Sequence, residues 1–177
     1  MESKLNELYS FSLKSHPDKL LVNHLHRVGE ICRNCVMEKK LNIDDADLLK
    51  DAIYLIGITH DLGKATGYFQ KYITEKNEKK KKSLKAKDIT HHGLLSALFS
   101  YAVMREYLNQ RELKDGLLAE YLPIMSFLAV KRHHGNLLNA IDEIKDVDIE
   151  KEKILKLAEV QIKSIDKNEL CKILEDL

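Results

Sequence analysis

The sequence has few of the residues that interrupt helices, with only two prolines and seven glycines among 177 residues. Tryptophan is absent, and no stretch alternates apolar and polar residues for long enough to predict a strand. Hydrophobic residues make up 44% of the chain and charged residues 32%, which excludes a disordered or fibrous protein. We therefore expect an all-α fold, formed as a single domain over residues 1–177.

Cysteine and long apolar runs are scarce as well. The three cysteines, Cys32, Cys35 and Cys171, are an odd number without a signal peptide, so we expect a reducing cytoplasm and no disulfide framework. Cys32 and Cys35 form a CxxC motif inside a helical pattern with no second pair, and we interpret both as core thiols. No apolar run approaches the roughly 18 residues of a membrane span.

The chain also has no large excess of either charge, because its 29 basic residues nearly balance its 28 acidic ones and the net charge is +1. Bulk charge therefore does not indicate a nucleic-acid partner. Seven lysines are nevertheless concentrated between Lys76 and Lys87. This segment is either a solvated loop or a rim that attracts phosphates, and the sequence leaves both interpretations open.

Apolar periodicity predicts several helices in the first half of the chain. A stripe over residues 3–15 ends at Pro17, and His16 beside it is expected at the surface. A helix over about 19–40 has His24 on its apolar face, with Leu21, Val28, Ile31, Cys32 and Cys35. The next helix, capped by Asp44, brings His60 onto its inward stripe and stops at Gly63.

The second half continues the helical pattern. After a short helix over 66–75, a helix opening at Asp88 or Thr90 has His92 on one face and His91 about 100° away. Pro123 is predicted to begin a buried helix over 124–134, which ends at His133, His134 and the stop residue Gly135. Two further helices are expected at about 149–163 and 167–176, the second with a capping box at Asp166 and Glu169.

Several histidines and one aspartate lie on buried faces or at the ends of buried helices. They are His24, His60, Asp61, His92 (or His91), His133 and His134. A lone histidine on such a face is usually a core residue, but a buried neutral imidazole needs partners for both nitrogens. If the set converges, it supplies nitrogen ligands and one bridging carboxylate for up to two divalent ions. Manganese, iron, cobalt, nickel or zinc would fit better than calcium or magnesium, which prefer oxygen.

The order of these residues resembles a known family. The motifs that carry the resemblance are His24-Leu25-His26-Arg27-Val28, His60-Asp61-Leu62-Gly63-Lys64, His92-Gly93-Leu94-Leu95-Ser96-Ala97 and His133-His134-Gly135. They are similar to the motifs of the HD superfamily of metal-dependent phosphohydrolases. The details are most similar to the CRISPR-associated HD nuclease that accompanies the interference helicase.

The resemblance implies an HD-domain helical bundle with its metal site between facing helices. Its metal-site core would span about 19–135, with a basic loop at about 76–87 and C-terminal helices at about 149–176. It implies a first metal at His24, His60 and Asp61, and Lys64 reaching the scissile phosphate. The implied ligands of the second metal are Asp61, His92, His133 and His134, and the third motif favours His92 over His91.

The resemblance also implies an activity and partners. The expected activity is metal-dependent cleavage of single-stranded DNA, or of RNA, in CRISPR interference against viruses. The expected partners are single-stranded nucleic acid, the interference helicase and the effector complex, with no membrane.

One departure from the family pattern keeps two alternatives open. The family closes its first metal site with an aspartate in an Ala-Asp context, and no Ala-Asp follows His134; Asp142 and Asp166 are poor matches. One alternative is an HD phosphohydrolase that acts on small nucleotides, which would need a closed pocket. The other is a non-catalytic HD docking module, which the missing aspartate favours.

Overall fold

The computed structural model of the chain describes residues 11–39, 42, 46–113, 116–135 and 151–177. Within these ranges the protein is helical apart from one small hairpin, as the composition predicts. The hairpin pairs β1 (Lys14–His16) with β2 (Lys19–Leu20). The helices are α1 (Leu21–Met37), α2 (Ala46–Thr59), α3 (Gly67–Thr74), α4 (Glu78–Lys85), α5 (Gly93–Gln110), α6 (Leu117–Lys131), α7 (Lys151–Lys163) and α8 (Lys167–Asp176). Short 3₁₀ helices at Leu62–Ala65 and Asp88–Thr90 precede α3 and α5.

Helices α1 and α2 cross at a pair of glycines. A Cβ atom on Gly57 would lie 2.7 Å from the Gly29 Cα, and one on Gly29 would lie 2.5 Å from the Ile58 side chain. Only residues without a side chain permit so close an approach between two helix backbones. The crossing brings the start of α1 close to the end of α2, where the first two histidine motifs lie.

The core of the described residues has two apolar clusters. One gathers around Leu25, Leu62 and Leu95, and so joins α1, the first 3₁₀ helix and α5. The other joins Ala52 of α2 to Met104 of α5 and Leu122 of α6. The same helices that carry the histidine motifs are therefore packed against one another through buried apolar side chains.

The C-terminal helices dock on the segments that flank the site. The Gly67 amide donates to the Ser164 carbonyl at 3.1 Å, and Thr66 forms an isolated bridge with Ile165. Gln161, which is 2% exposed, donates to the carbonyls of Ile89 and His91 at 3.0 and 2.8 Å. Helix α7 thus fixes the turn that immediately precedes His92.

Several predicted boundaries are corrected near the start of the chain. Lys14 and Ser15, predicted at the end of a helix, lie in β1, and residues 3–10 of that prediction lie outside the described residues, as does Asp44. Ile31 is 52% exposed, and Cys35 is also exposed. The reason is that α1 turns Leu21, Val22, Leu25 and Gly29 inward, a face set by its glycine crossing with α2.

The predicted stop at Gly63 is also wrong, because α2 ends at Thr59. Gly63 lies inside the following 3₁₀ helix, where an added Cβ would meet the His92 carbonyl oxygen at 2.5 Å. The glycine is needed for a close approach between chain segments, and the 3₁₀ helix continues past it to Ala65.

The lysine-rich segment contains a helix where the sequence predicts a loop. Helix α4 is capped by Asn77, whose side chain accepts from the Lys80 amide, and it has an acidic first turn and a basic last turn. Both features stabilise a helix at its ends. No residue of α4 is buried, so its lysines remain solvated.

Pro123 does not begin a helix, because α6 runs through it without a break. Leu122 beside it packs into the second core cluster, so tertiary packing outweighs the hydrogen bond that proline removes. The predicted burial of this helix holds for Ser126 and Val130, while Met125 is 51% exposed.

No helix among the described residues is both long enough and apolar enough to cross a membrane.

Candidate metal centre

Asp61 lies at the centre of the histidine motifs. It follows the end of α2 directly, caps the first 3₁₀ helix and is only 2% exposed. The Ser96 hydroxyl of α5 accepts a hydrogen bond from the Gly63 amide at 2.9 Å. This bond, together with the close approach of Gly63 to His92, holds the loop of Asp61 against the start of α5.

One carboxylate oxygen of Asp61 faces the first two motifs. Its Oδ2 atom lies 2.8 Å from Nε2 of His24 and 3.2 Å from Nε2 of His60. The ammonium group of Lys64 lies 2.7 Å from the same oxygen. Asp61 Oδ2 therefore has two imidazoles and one cation around it.

The other oxygen faces the last two motifs. Asp61 Oδ1 lies 3.0 Å from Nε2 of His92 and 3.3 Å from Nε2 of His133. His134 joins this side through His92, because their Nε2 atoms are 3.1 Å apart. The five histidines predicted as metal ligands thus come together around the carboxylate of the sixth predicted ligand, Asp61.

Backbone carbonyls fix which nitrogen of two imidazoles holds the proton. Nδ1 of His60 contacts the Gly57 carbonyl at 2.7 Å, and Nδ1 of His133 contacts the Val130 carbonyl at 2.6 Å. A carbonyl only accepts, so each Nδ1 must donate, and each neutral ring presents the lone pair of Nε2 to Asp61. Hydrogen bonds of this kind are typical of histidines that bind a metal.

This arrangement leaves two acceptors face to face. Asp61 Oδ1 and His133 Nε2 are the buried side-chain atoms of the described residues that have no hydrogen-bond partner. Two buried acceptors without a proton between them are unfavourable unless a cation lies between them. A divalent metal ion meets this requirement, so the residues fit the ion that their types suggest.

The ligand atoms fall into two compact groups, within each of which all atoms lie within 4.8 Å of one another. One group is Asp61, His92, His133 and His134, and the other is His24, His60 and Asp61. Asp61 belongs to both. Imidazole-rich groups of this kind suit manganese, iron, cobalt, nickel or zinc better than calcium or magnesium.

The electrostatics favour an ionised Asp61 carboxylate. Burial by itself raises the pKa of Asp61, but the surrounding imidazoles of His133, His24, His60 and His92 outweigh it and hold that pKa well below its ordinary value. Burial lowers the pKa of His92, and burial with the nearby His133 and His92 lowers the pKa of His134 to about 4.

His133 differs from these two histidines. Burial lowers its pKa, but Asp61 and the Val130 carbonyl raise it more, so the net shift is upward. Because the pKa values of His92 and His134 are lowered, these two histidines are in their neutral form near pH 7, which is the form that binds a metal.

Lys64 is placed differently from the sequence expectation. Its side chain is buried, its ammonium pairs with Asp61 Oδ2, and the Phe69 ring lies 5.5 Å from the ammonium. A contact between Lys64 and a substrate phosphate therefore stays a prediction.

The structure distinguishes the histidines that adjoin the ligand set. His91 is exposed and its Nε2 lies 3.3 Å from the Lys85 carbonyl, so it points away from Asp61. His26 is exposed on α1. His92, and not His91, is the third-motif histidine that faces Asp61.

Two residues that the sequence did not assign to the site have rings beside its histidines. The ring of Phe69 packs edge-on against His92 at 5.2 Å, and the ring of His16 lies 5.3 Å from that of His24. Phe69 lies on the predicted helix over 66–75, whose periodicity could have indicated its inward face. His16 had no comparable signal, because hairpin pairing brings it to the site.

No described residue supplies the carboxylate that the first metal group lacks. Asp166 accepts hydrogen bonds from the amides of Asn168 and Glu169 as the cap of α8, and Asp142 lies outside the described residues. Among described residues, the two groups therefore offer four and three protein ligands.

The four motifs lie within a region that matches a known protein family. The family model described as "Cas3, HD domain" matches residues 17–175 of the chain. No curated protein and no solved structure matches it. The match covers Asp61 and the five histidines around it.

Because one ligand group has four residues and the other has three, we expect two metal ions of different affinity. Different mutations should weaken each of them. His134→Ala should weaken the tighter ion by more than about 100-fold, since loss of even an outer-shell partner costs 10–100-fold. His24→Ala should weaken only the looser ion. Titration of manganese followed by electron paramagnetic resonance would measure both. Equal loss of both ions in each variant would contradict the assignment into two groups.

Proposed function

The chain belongs to the Cas3 HD-domain family, and on this premise we propose that it is a metal-dependent nuclease that hydrolyses phosphodiester bonds of single-stranded DNA. Its proposed setting is CRISPR interference in the cytoplasm, together with the interference helicase and the effector complex.

The observation that carries the proposal is the convergence of four imidazoles on the buried Asp61 carboxylate, with Asp61 Oδ1 and His133 Nε2 left without a hydrogen-bond partner. A docking module has no use for two buried acceptors held face to face. Divalent ions bound there would supply Lewis-acid activation of a phosphodiester and of the attacking water. The alternative of a non-catalytic HD module is therefore less well supported than an enzyme.

The protein residues have distinct roles in this proposal. Asp61 would be the ligand shared by both ions, and it stays ionised because its pKa is held low. The carbonyls of Gly57 and Val130 orient the His60 and His133 rings. Lys64 exchanges its contact with Asp61 for one with a phosphate oxygen, which a compact ammonium group suits.

The surroundings of the site favour a polymer over a small nucleotide. The His24, His60, His92 and His133 side chains are each 13–17% exposed, so solvent reaches part of each imidazole ring. His134 is exposed at its edge. An open site admits a nucleic-acid strand, whereas a small nucleotide would gain most from an enclosed pocket.

Helix α4 carries positive charge and is bonded to the turn that precedes His92. Six of the seven lysines between Lys76 and Lys87 are exposed. The Thr90 hydroxyl donates to the carbonyls of Leu84 and Lys87 at 2.9 and 2.8 Å, which ties the end of α4 to the turn before His92. The lysines therefore stand on a helix fixed to the site, as a phosphate-binding rim requires.

Activity should follow the contacts with Asp61. With manganese and circular single-stranded DNA, Asp61→Ala should reduce cleavage to below about a tenth of wild type, because both ions lose their shared ligand. His92→Ala should be similarly severe and His91→Ala mild, since only His92 faces the carboxylate. Gel analysis of nicked circles would measure this.

The same assay with controls separates the candidate functions. Cleavage of a nucleotide panel without cleavage of DNA would favour the small-nucleotide phosphohydrolase. Cleavage of RNA in preference to DNA would show that the substrate is RNA and not single-stranded DNA. A fully active Asp61→Ala variant would contradict the two-metal proposal.

The role of α4 can be tested through salt. Replacement of Lys79, Lys80, Lys82 and Lys85 by glutamine should weaken DNA binding and reduce the slope of log affinity against log salt by up to about 2.8, or 0.7 per lost phosphate contact. Fluorescence anisotropy at several salt concentrations would measure the slope.

A matched control removes the same charge elsewhere. Glutamine at Lys153, Lys156, Lys167 and Lys172, which are exposed on α7 and α8, should leave the slope near that of wild type. An equal effect of both sets would mean that α4 is only a solvated helix.

A further inference from the structure

The hairpin before α1 places an additional histidine beside the metal centre. His16 ends β1 and pairs with Lys19 of β2, and its ring lies 5.3 Å from the His24 ring, nearly perpendicular to it at 81°. His24 in turn lies 5.0 Å from His60. Three imidazoles therefore follow one another on the side of the centre that has fewer ligands.

Hydrogen bonds fix β1 relative to this side of the site. The Gln70 side chain accepts from the Lys14 amide at 3.0 Å and donates to the Lys14 carbonyl at 2.8 Å. The Gln70 side-chain nitrogen also donates to the Lys64 carbonyl at 2.7 Å. One glutamine thus links β1 directly to the segment that follows Asp61, and His16 is held beside the site by this link.

Ser15 determines which nitrogen of His16 is available. Ser15 is 1% exposed, and its hydroxyl, which has a single proton to donate, lies 3.3 and 3.4 Å from the carbonyls of Lys19 and Leu20. When that proton goes to one of these carbonyls, the hydroxyl oxygen accepts from Nδ1 of His16, which lies 3.2 Å away. His16 then has its proton on Nδ1 and a lone pair on Nε2, as a metal ligand oriented by an outer partner has.

The nearby group lacks a ligand that His16 can supply. His24, His60 and Asp61 give three protein ligands, whereas the other group gives four. His16 lies outside the group of three, and its ring is exposed, so rotation about its side-chain bonds is open to it.

We propose that His16 is a fourth protein ligand, through Nε2, of the metal ion held by His24, His60 and Asp61. The inference rests on the proposed metal centre. It assigns to a hairpin residue the place of the carboxylate that the described residues do not provide. The ion on this side remains the weaker of the two, because His16 must move to reach it.

Titration with cobalt(II) tests this ligand without any measurement of activity. Wild type should bind two cobalt ions of unequal affinity, followed by visible absorption, which reports the ligands of each ion. His16→Ala should weaken the looser ion at least tenfold and change its absorption, while the tighter ion stays within twofold. His26→Ala, which removes an exposed histidine of α1, should match wild type.

The outcomes separate this inference from the proposed function. Two cobalt ions bound by His16→Ala as by His26→Ala would overturn the role of His16 and leave the metal centre intact. Loss of both ions in His16→Ala would also overturn it, because His16 would then support the fold and not one ion. No cobalt bound by wild type would contradict the metal centre itself.

Discussion

The carboxylate of Asp61 is the constraint on which the other features of the site depend. It is almost completely buried, and its two oxygens face different pairs of histidines, with Lys64 beside one of them. A buried charge is unfavourable without partners. The Lys64 ammonium supplies one partner at Oδ2, and the imidazoles on both sides of the carboxylate are placed to hold divalent ions that would supply more.

The fold brings the ends of four helices to this carboxylate. His24 lies in the first turn of α1, and His60 and Asp61 directly follow α2. His92 directly precedes α5, and His133 and His134 lie just after α6. The glycine crossing of α1 and α2 brings His24 close to His60 and Asp61, and the approach of Gly63 to His92 brings the start of α5 close to Asp61. Since the histidines stand at helix ends, their rings are partly exposed, and the ring of the hairpin residue His16 lies beside that of His24.

Much of the site was predictable because its signals are local. The His-Asp pair at 60–61 and the His-His-Gly at 133–135 are short motifs, and helical periodicity was enough to place His24 on an inward face. The helices at 151–163 and 167–176 also agree with their predicted bounds to within two residues. These features need no knowledge of which segments meet in space.

The features that were missed depend on packing between distant segments. Ile31 was predicted on a buried face, but the crossing with α2 rotated that face away from it. Pro123 continues a helix because α6 packs along α5, and propensity alone argues for a break. His16 is near the metal centre because Gln70 links two segments that are 50 residues apart, Lys14 and Lys64. Single-sequence periodicity contains none of this information.

The central claim is that Asp61 bridges two metal ions, and an anomalous-difference map from crystals soaked in manganese tests it most directly. The account predicts two peaks about 3.5–4 Å apart, one on each side of the Asp61 carboxylate. The peak beside His92, His133 and His134 should have the higher occupancy. A single peak, or a Lys64 ammonium that still pairs with Asp61 Oδ2 in place of the second ion, would contradict it.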